Sequence, residues 1–68
     1  MRVWLIEERK KRRQTQLDLA HEVGISRAYL AQIELGLRTP SVRVAKKLAE
    51  ALSVPWTRFY EDADILEE

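Results

Sequence analysis

The 68-residue chain contains no cysteine, so neither disulfides nor thiolate metal sites can brace it. Histidine occurs once and glycine and proline twice each. His21 has no second metal-type ligand spaced to join it, so a zinc site is not expected. Two isolated glycines make no Gly-rich phosphate loop, and no paired acids or nucleophile–base sets converge. Catalysis is therefore not expected, nor is a metal, a cofactor or a small-molecule ligand. Long apolar runs are missing as well. The N-terminal stretch Val3-Trp4-Leu5-Ile6 is four residues, too short for a signal peptide or a membrane span. A cytoplasmic protein with no membrane association is the expectation. At this length one domain is the ceiling, and such a domain buries about 60% of its unfolded surface.

Charge is uneven. The formal net charge is +1, yet residues 1–60 hold all 12 Lys and Arg and six of the 11 acids. Residues 61–68 hold the other five acids and no base. A basic body followed by an acidic tail points to a polyanionic partner.

Period-2 alternation does not persist, whereas helix signals recur, so the fold class is all-α with five helices. Residues 2–13 lack Gly and Pro and are rich in Leu, Glu, Arg and Lys, which favour a first helix. Thr15 and Asp18 have capping-box spacing and start a second helix over about 16–23, which Gly24 stops. Leu19, Ala20 and Val23 share its inner face. Ser26 is a suitable N-cap for a third helix over about 27–35, closed by Gly36. Ser41 caps a fourth helix whose Ala45, Leu48, Ala49 and Leu52 form an inward stripe. Pro55 opens a short fifth helix reaching about Tyr60. Residues 1–60 thus make the domain and 61–68 an acidic tail. Its expected core is Leu19, Val23, Ile25, Leu30, Ile33, Leu48 and Leu52.

Helices two and three are joined by Gly24-Ile25-Ser26 alone. So short a turn makes the helices cross steeply, with Ile25 as a plug, and this is helix-turn-helix geometry. With Leu30 and Ile33 inward, helix three presents Arg27, Ala28, Ala31 and Gln32 outward. Arg pairs bidentately with guanine and Gln with adenine, while small alanines let the helix approach base edges. Double-stranded DNA is the partner this face suits.

Thr15-Gln16-Leu17-Asp18-Leu19-Ala20, Val23-Gly24-Ile25-Ser26-Arg27, Tyr29-Leu30-Ala31-Gln32-Ile33-Glu34-Leu35-Gly36 and Pro40-Ser41 together resemble the Cro/C1-type (Xre) helix-turn-helix domain. The resemblance covers roughly residues 5–60. It implies a lambda-repressor-like five-helix fold and a sequence-specific transcriptional regulator, most often a repressor, that binds a palindromic operator as a homodimer. Carried over by position, it implies base contacts from Ser26, Arg27, Ala28 and Gln32. It implies phosphate contacts from Gln16, Tyr29 and Arg38, and an ion pair between Arg9 and Glu34 that ties helix one to helix three. Leu35 and Leu37 depart from the pattern, standing where polar or basic residues are common. Arg13 and Gln14 replace a frequent Gly and apolar residue, and Ser53 replaces the usual Gly after helix four.

Apart from Arg9, the run Arg9-Lys10-Lys11-Arg12-Arg13 reads as a solvated helix end, and His21 as an exposed surface residue. Trp4, Trp56, Phe59 and Tyr60 read as core or interface aromatics rather than base-stacking platforms. Because a fifth helix of barely one and a half turns cannot bury its own aromatics, Trp56, Phe59, Tyr60 and Ile65 are the expected dimer interface. The alternative function is a protein-interaction module, or an antitoxin-like partner-binding protein, on the same scaffold.

Overall fold

The structure, a computed structural model, describes residues 1–61. Ile65, expected at the dimer interface, lies outside the described residues, as does most of the acidic tail. The chain forms α1 (Val3–Lys11), α2 (Gln16–Val23), α3 (Arg27–Leu35), α4 (Val42–Leu52) and α5 (Arg58–Glu61), with no strand among the described residues. The fold is all-helical.

Short-range chemistry sets the helix starts. The Thr15 hydroxyl accepts from the Asp18 amide at 3.0 Å, and the Asp18 carboxylate accepts from the Thr15 amide at 2.9 Å. These bonds from Thr15 hold the Asp18 carboxyl below its ordinary value of 3.8. Ser26 and Ser41 cap α3 and α4 by accepting from the amides of Tyr29 and Val44. At the other ends, Gly24 and Gly36 take left-handed conformations with φ of 78° and 80°. Gly36 is required twice over, since a Cβ there would also lie 3.1 Å from the Met1 nitrogen.

Two elements differ from the expectation. α1 ends at Lys11 rather than Arg13, because Arg13 swings to φ 57° and takes the chain off the helix. α5 begins at Arg58, after a tight turn in which the Arg58 amide bonds the Pro55 carbonyl at 3.2 Å.

Leu5, Leu19, Leu30, Ile33, Leu48, Leu52 and Phe59 are fully buried, with Ala20, Val23, Ala45 and Ala49 filling the spaces between them. Ile25 is half-buried and packs on this core from the turn. α2 packs against α3 and α4, and α1 against α3. The placement of Phe59 corrects the expectation that it serves a dimer interface. Its ring sits edge-on to Trp4 at 5.0 Å and has no accessible surface. α1 supplies a wall that aromatic counting within α5 alone does not reveal.

Arg12 is also more than a solvated cation: its Nη2 donates to the Leu52 carbonyl at 2.7 Å, satisfying an orphan group at the end of α4. The next residue, Ser53, holds φ 58°, a left-handed cap made without glycine. The clash of a Cβ in this region costs ~1–2 kcal/mol, partly offset by the greater chain entropy that glycine loses on folding. Ser53→Gly should therefore raise stability by about 0.5–1 kcal/mol in urea unfolding, with an unchanged m-value. A destabilised variant would show that the serine hydroxyl contributes more than its backbone strain costs.

Candidate nucleic-acid interface

The turn between α2 and α3 is fixed from inside. The Gly24 and Ile25 amides both bond the Ala20 carbonyl at 2.9 Å, folding the chain back over the end of α2. α3 then starts at once, capped by Ser26. Its faces are sharply divided. Leu30, Ile33 and Glu34 are buried; Ser26, Arg27 and Ala28 are exposed; Tyr29, Ala31 and Gln32 are half-buried along the boundary.

Glu34 is the one acid of α3, and it is turned into the protein with 2% of its surface accessible. Arg9 on α1 meets it with both arms of its fork. Nε donates to Oε2 at 2.7 Å and Nη2 to Oε1 at 3.3 Å, while Nη1 donates to the Gln14 carbonyl at 2.9 Å. Gln16, the first residue of α2, adds a bond from its Nε2 to Glu34 Oε1 at 2.9 Å. The carboxylate is thereby neutralised and satisfied, and the outward face of α3 carries no negative charge. Arg27 leans from that face toward α2, and its Nη1 donates to Gln16 Oε1 at 3.2 Å. Four of the residues singled out by position, Arg9, Glu34, Gln16 and Arg27, are thus joined in one chain of side chains. Tyr29 lies beside this group, its ring 5.8 Å from the Arg38 guanidinium carbon.

A face of this kind, on the second helix of a tight two-helix turn, can enter a groove lined with acceptors and anions. The helix-turn-helix family model matches residues 5–59 of the chain, from within α1 to the buried Phe59 in α5.

The chain belongs to the Cro/C1-type helix-turn-helix family.

As a member of this family it is a DNA-binding transcriptional regulator and not an enzyme. It is similar to the uncharacterized HTH-type transcriptional regulator YqaF of Bacillus subtilis, with 47% identity over 62 residues, 91% of this chain and 82% of that one. It is 37% identical over all 68 residues to an uncharacterized HTH-type transcriptional regulator of Methanothermobacter thermautotrophicus, 94% of which is covered. The immunity repressor protein of Bacillus phage phi105 is 33% identical over 88% of this chain, which spans 42% of that longer protein. No solved structure matches the chain significantly.

In this Cro/C1-type domain one structural residue has no counterpart in the sequence reading. Arg2 is 2% exposed, and its Nη1 donates to the carbonyls of Ile33 at 2.8 Å and Arg38 at 3.0 Å. Its Nη2 reaches the Phe59 carbonyl at 3.3 Å, and its amide bonds the Glu34 carbonyl at 2.7 Å. Arg2 thus locks the end of α3, the segment carrying Arg38, and α5 to one another. Its position at the chain start, outside any periodic pattern, gave little signal.

Trp56 is 36% exposed, stacked edge-on to Tyr60 at 5.9 Å, with Lys46 Nζ 5.1 Å from the Trp56 ring centre. The Tyr60 hydroxyl donates to the Pro40 carbonyl at 2.9 Å, so that ring is half-buried and anchored. Leu35 and Leu37 are 48% and 73% exposed, an apolar spot just beyond the outward face of α3. His21 is exposed, and no metal-ligand cluster occurs among the described residues. No helix among them is long and apolar enough to cross a membrane.

Proposed function

We propose that the protein is a repressor of transcription that binds a palindromic operator as a twofold dimer, with α3 in the major groove. The observation that carries the reading is the burial of Glu34 against Arg9, which leaves α3 with an outward face of Arg27, Ala28, Ala31 and Gln32 free of acid. Arg27 and Gln32 have the donors and acceptors to read guanine and adenine edges. Ser26 and Ala28 are small enough to let the helix approach. Gln16, Tyr29 and Arg38 lie beside this face, where phosphates would pass. The similarity to a phage immunity repressor supports repression rather than activation.

A dimer is part of the proposal because the base contacts of one domain seldom suffice for specific binding. Trp56 and the accessible edge of Tyr60 are the surface proposed for it, with Phe59 removed from that role. A twofold contact there would set two α3 helices about 34–36 Å apart, one turn of DNA. Selection from random duplexes should yield an inverted repeat with half-site centres about 10 base pairs apart or a multiple of that. In sedimentation, the wild type should dimerise with concentration and Trp56→Ala/Tyr60→Ala should stay monomeric. A non-repeated consensus together with a monomer at high concentration would contradict the dimer. A reporter whose promoter overlaps the selected site should fall in expression when the protein is supplied; a rise would contradict repression.

A further inference from the structure

Residues 24–49 hold five cations, Arg27, Arg38, Arg43, Lys46 and Lys47, and one acid, the buried Glu34. An apolar spot lies within this basic stretch. Leu35 and Leu37 flank Gly36 and are exposed, and the Met1 backbone abuts Gly36 with its own side chain exposed as well. Such a spot beside cations suits an occupant of the inverse pattern, apolar residues set among acids. The chain itself carries one. Residues 61–68 hold five acids, no base, and the adjacent pair Ile65-Leu66. The fold fixes where that segment departs. One Arg2 guanidinium bonds the Arg38 carbonyl at 3.0 Å and the Phe59 carbonyl at 3.3 Å, which sets α5 beside the residue after Leu37. The Tyr60 hydroxyl, on the Pro40 carbonyl at 2.9 Å, ties the same two segments again. Ile65 stands six residues beyond Phe59, up to about 20 Å of extended chain, ample to return to a spot that begins next to Arg38.

We propose that residues 62–68 dock on their own domain, with Ile65 and Leu66 on the Met1, Leu35 and Leu37 spot and the acids on Arg38, and that the docked tail competes with DNA. The competition rests on the proposed phosphate contact of Arg38, whereas the docking does not. Tethering gives the tail a high effective concentration, so a contact too weak for a free peptide holds within the chain. Ile65 thereby finds its partner in its own protomer and not in the dimer contact expected of it. A tail docked in about 70–90% of free molecules lowers apparent affinity about three- to tenfold, because only the undocked fraction is competent.

The test uses the full chain. Ile65→Ser/Leu66→Ser removes the apolar pair and keeps every charge. In amide NMR spectra without DNA, its largest shift changes outside residues 62–68 should fall at Leu35, Gly36, Leu37 and Arg38, independent of chain concentration. Changes confined to residues 62–68, or centred on Trp56 and Tyr60, would overturn the docking. Changes that grow with concentration would give the tail to a second copy and overturn it too. On the selected operator at low salt, the same variant should bind about three- to tenfold tighter than wild type. Leu37→Ser, with a thermal melt to show that it folds, should give a similar gain, and the two combined no more than either alone. Unchanged affinity in Ile65→Ser/Leu66→Ser would overturn the competition. So would a Leu37→Ser chain that binds every duplex more weakly, since Leu37 would then touch DNA itself. If the shifts appear at residues 35–38 but neither wild type nor variant prefers any duplex, the docking stands and the proposed function falls.

Discussion

Glu34→Ala should leave a large fraction of the protein unfolded at room temperature. A domain of this size has a total stability of about 3–10 kcal/mol. Removing one partner from a buried, hydrogen-bonded ion pair costs about 3–5 kcal/mol, because the other charge stays behind without compensation. Arg9, with 10% of its side chain accessible, would be that stranded charge. Gln16 would lose its inward acceptor at the same time. The pair is not intrinsically strong, however. Replacing both partners together, as in Arg9→Met/Glu34→Leu, removes the stranded charge and should recover most of the loss. Urea unfolding of the two variants checks this. A cost below about 1 kcal/mol for Glu34→Ala would place the pair among solvent-screened surface bridges, contrary to its burial.

Affinity for DNA should fall steeply with salt. Between 50 and 200 mM salt a protein that contacts six to ten phosphates loses about 10³–10⁵ in affinity, with a slope near −0.9 per neutralised phosphate. The described part of the chain is built for this. Its cations outnumber its acids, and the acids are largely occupied at home. Glu34 faces Arg9, Asp18 closes the α2 cap, Glu22 accepts from Gln14 at 2.8 Å, and Glu8 meets Lys11 at 3.2 Å. Arg38, exposed beside Tyr29, forms no ion pair with an acid among the described residues and so stays open to a phosphate. A nearly flat plot of log affinity against log salt would favour the alternative of a protein-interaction module.

The parts of this protein that were legible in its sequence are those whose chemistry is local. Thr15, Ser26 and Ser41 announce helix starts because a hydroxyl needs an amide only three residues away. Gly24 and Gly36 announce ends because of the left-handed turn that each makes. These signals place α2 and α3 at the expected bounds, and with them the face proposed to meet DNA. Arg9 and Glu34 came from family resemblance, since 25 residues of separation carry no periodic signal. Arg2 was hidden for a related reason: its partners are backbone carbonyls, which look the same in every residue type. Phe59 was misplaced because its burial depends on Trp4, in a helix whose basic end masked a short apolar face. Arg13 and Ser53 showed only as missing glycines, and the strained backbone that explains the family's preference became visible in their φ angles.

The central claim is that the outward face of α3 reads bases while its flanks hold the backbone. The measurement that tests it most directly is selection from random duplexes with wild type, Arg27→Ala, Gln32→Ala and Arg38→Ala, compared position by position. Arg27→Ala and Gln32→Ala should each relax preference at one position per half-site and cost about 1–3 kcal/mol on the wild-type operator. Arg38→Ala should weaken binding to every sequence alike and leave the consensus intact, because phosphates carry no sequence information. An unchanged consensus from both Arg27→Ala and Gln32→Ala would contradict the docking of α3 in the major groove.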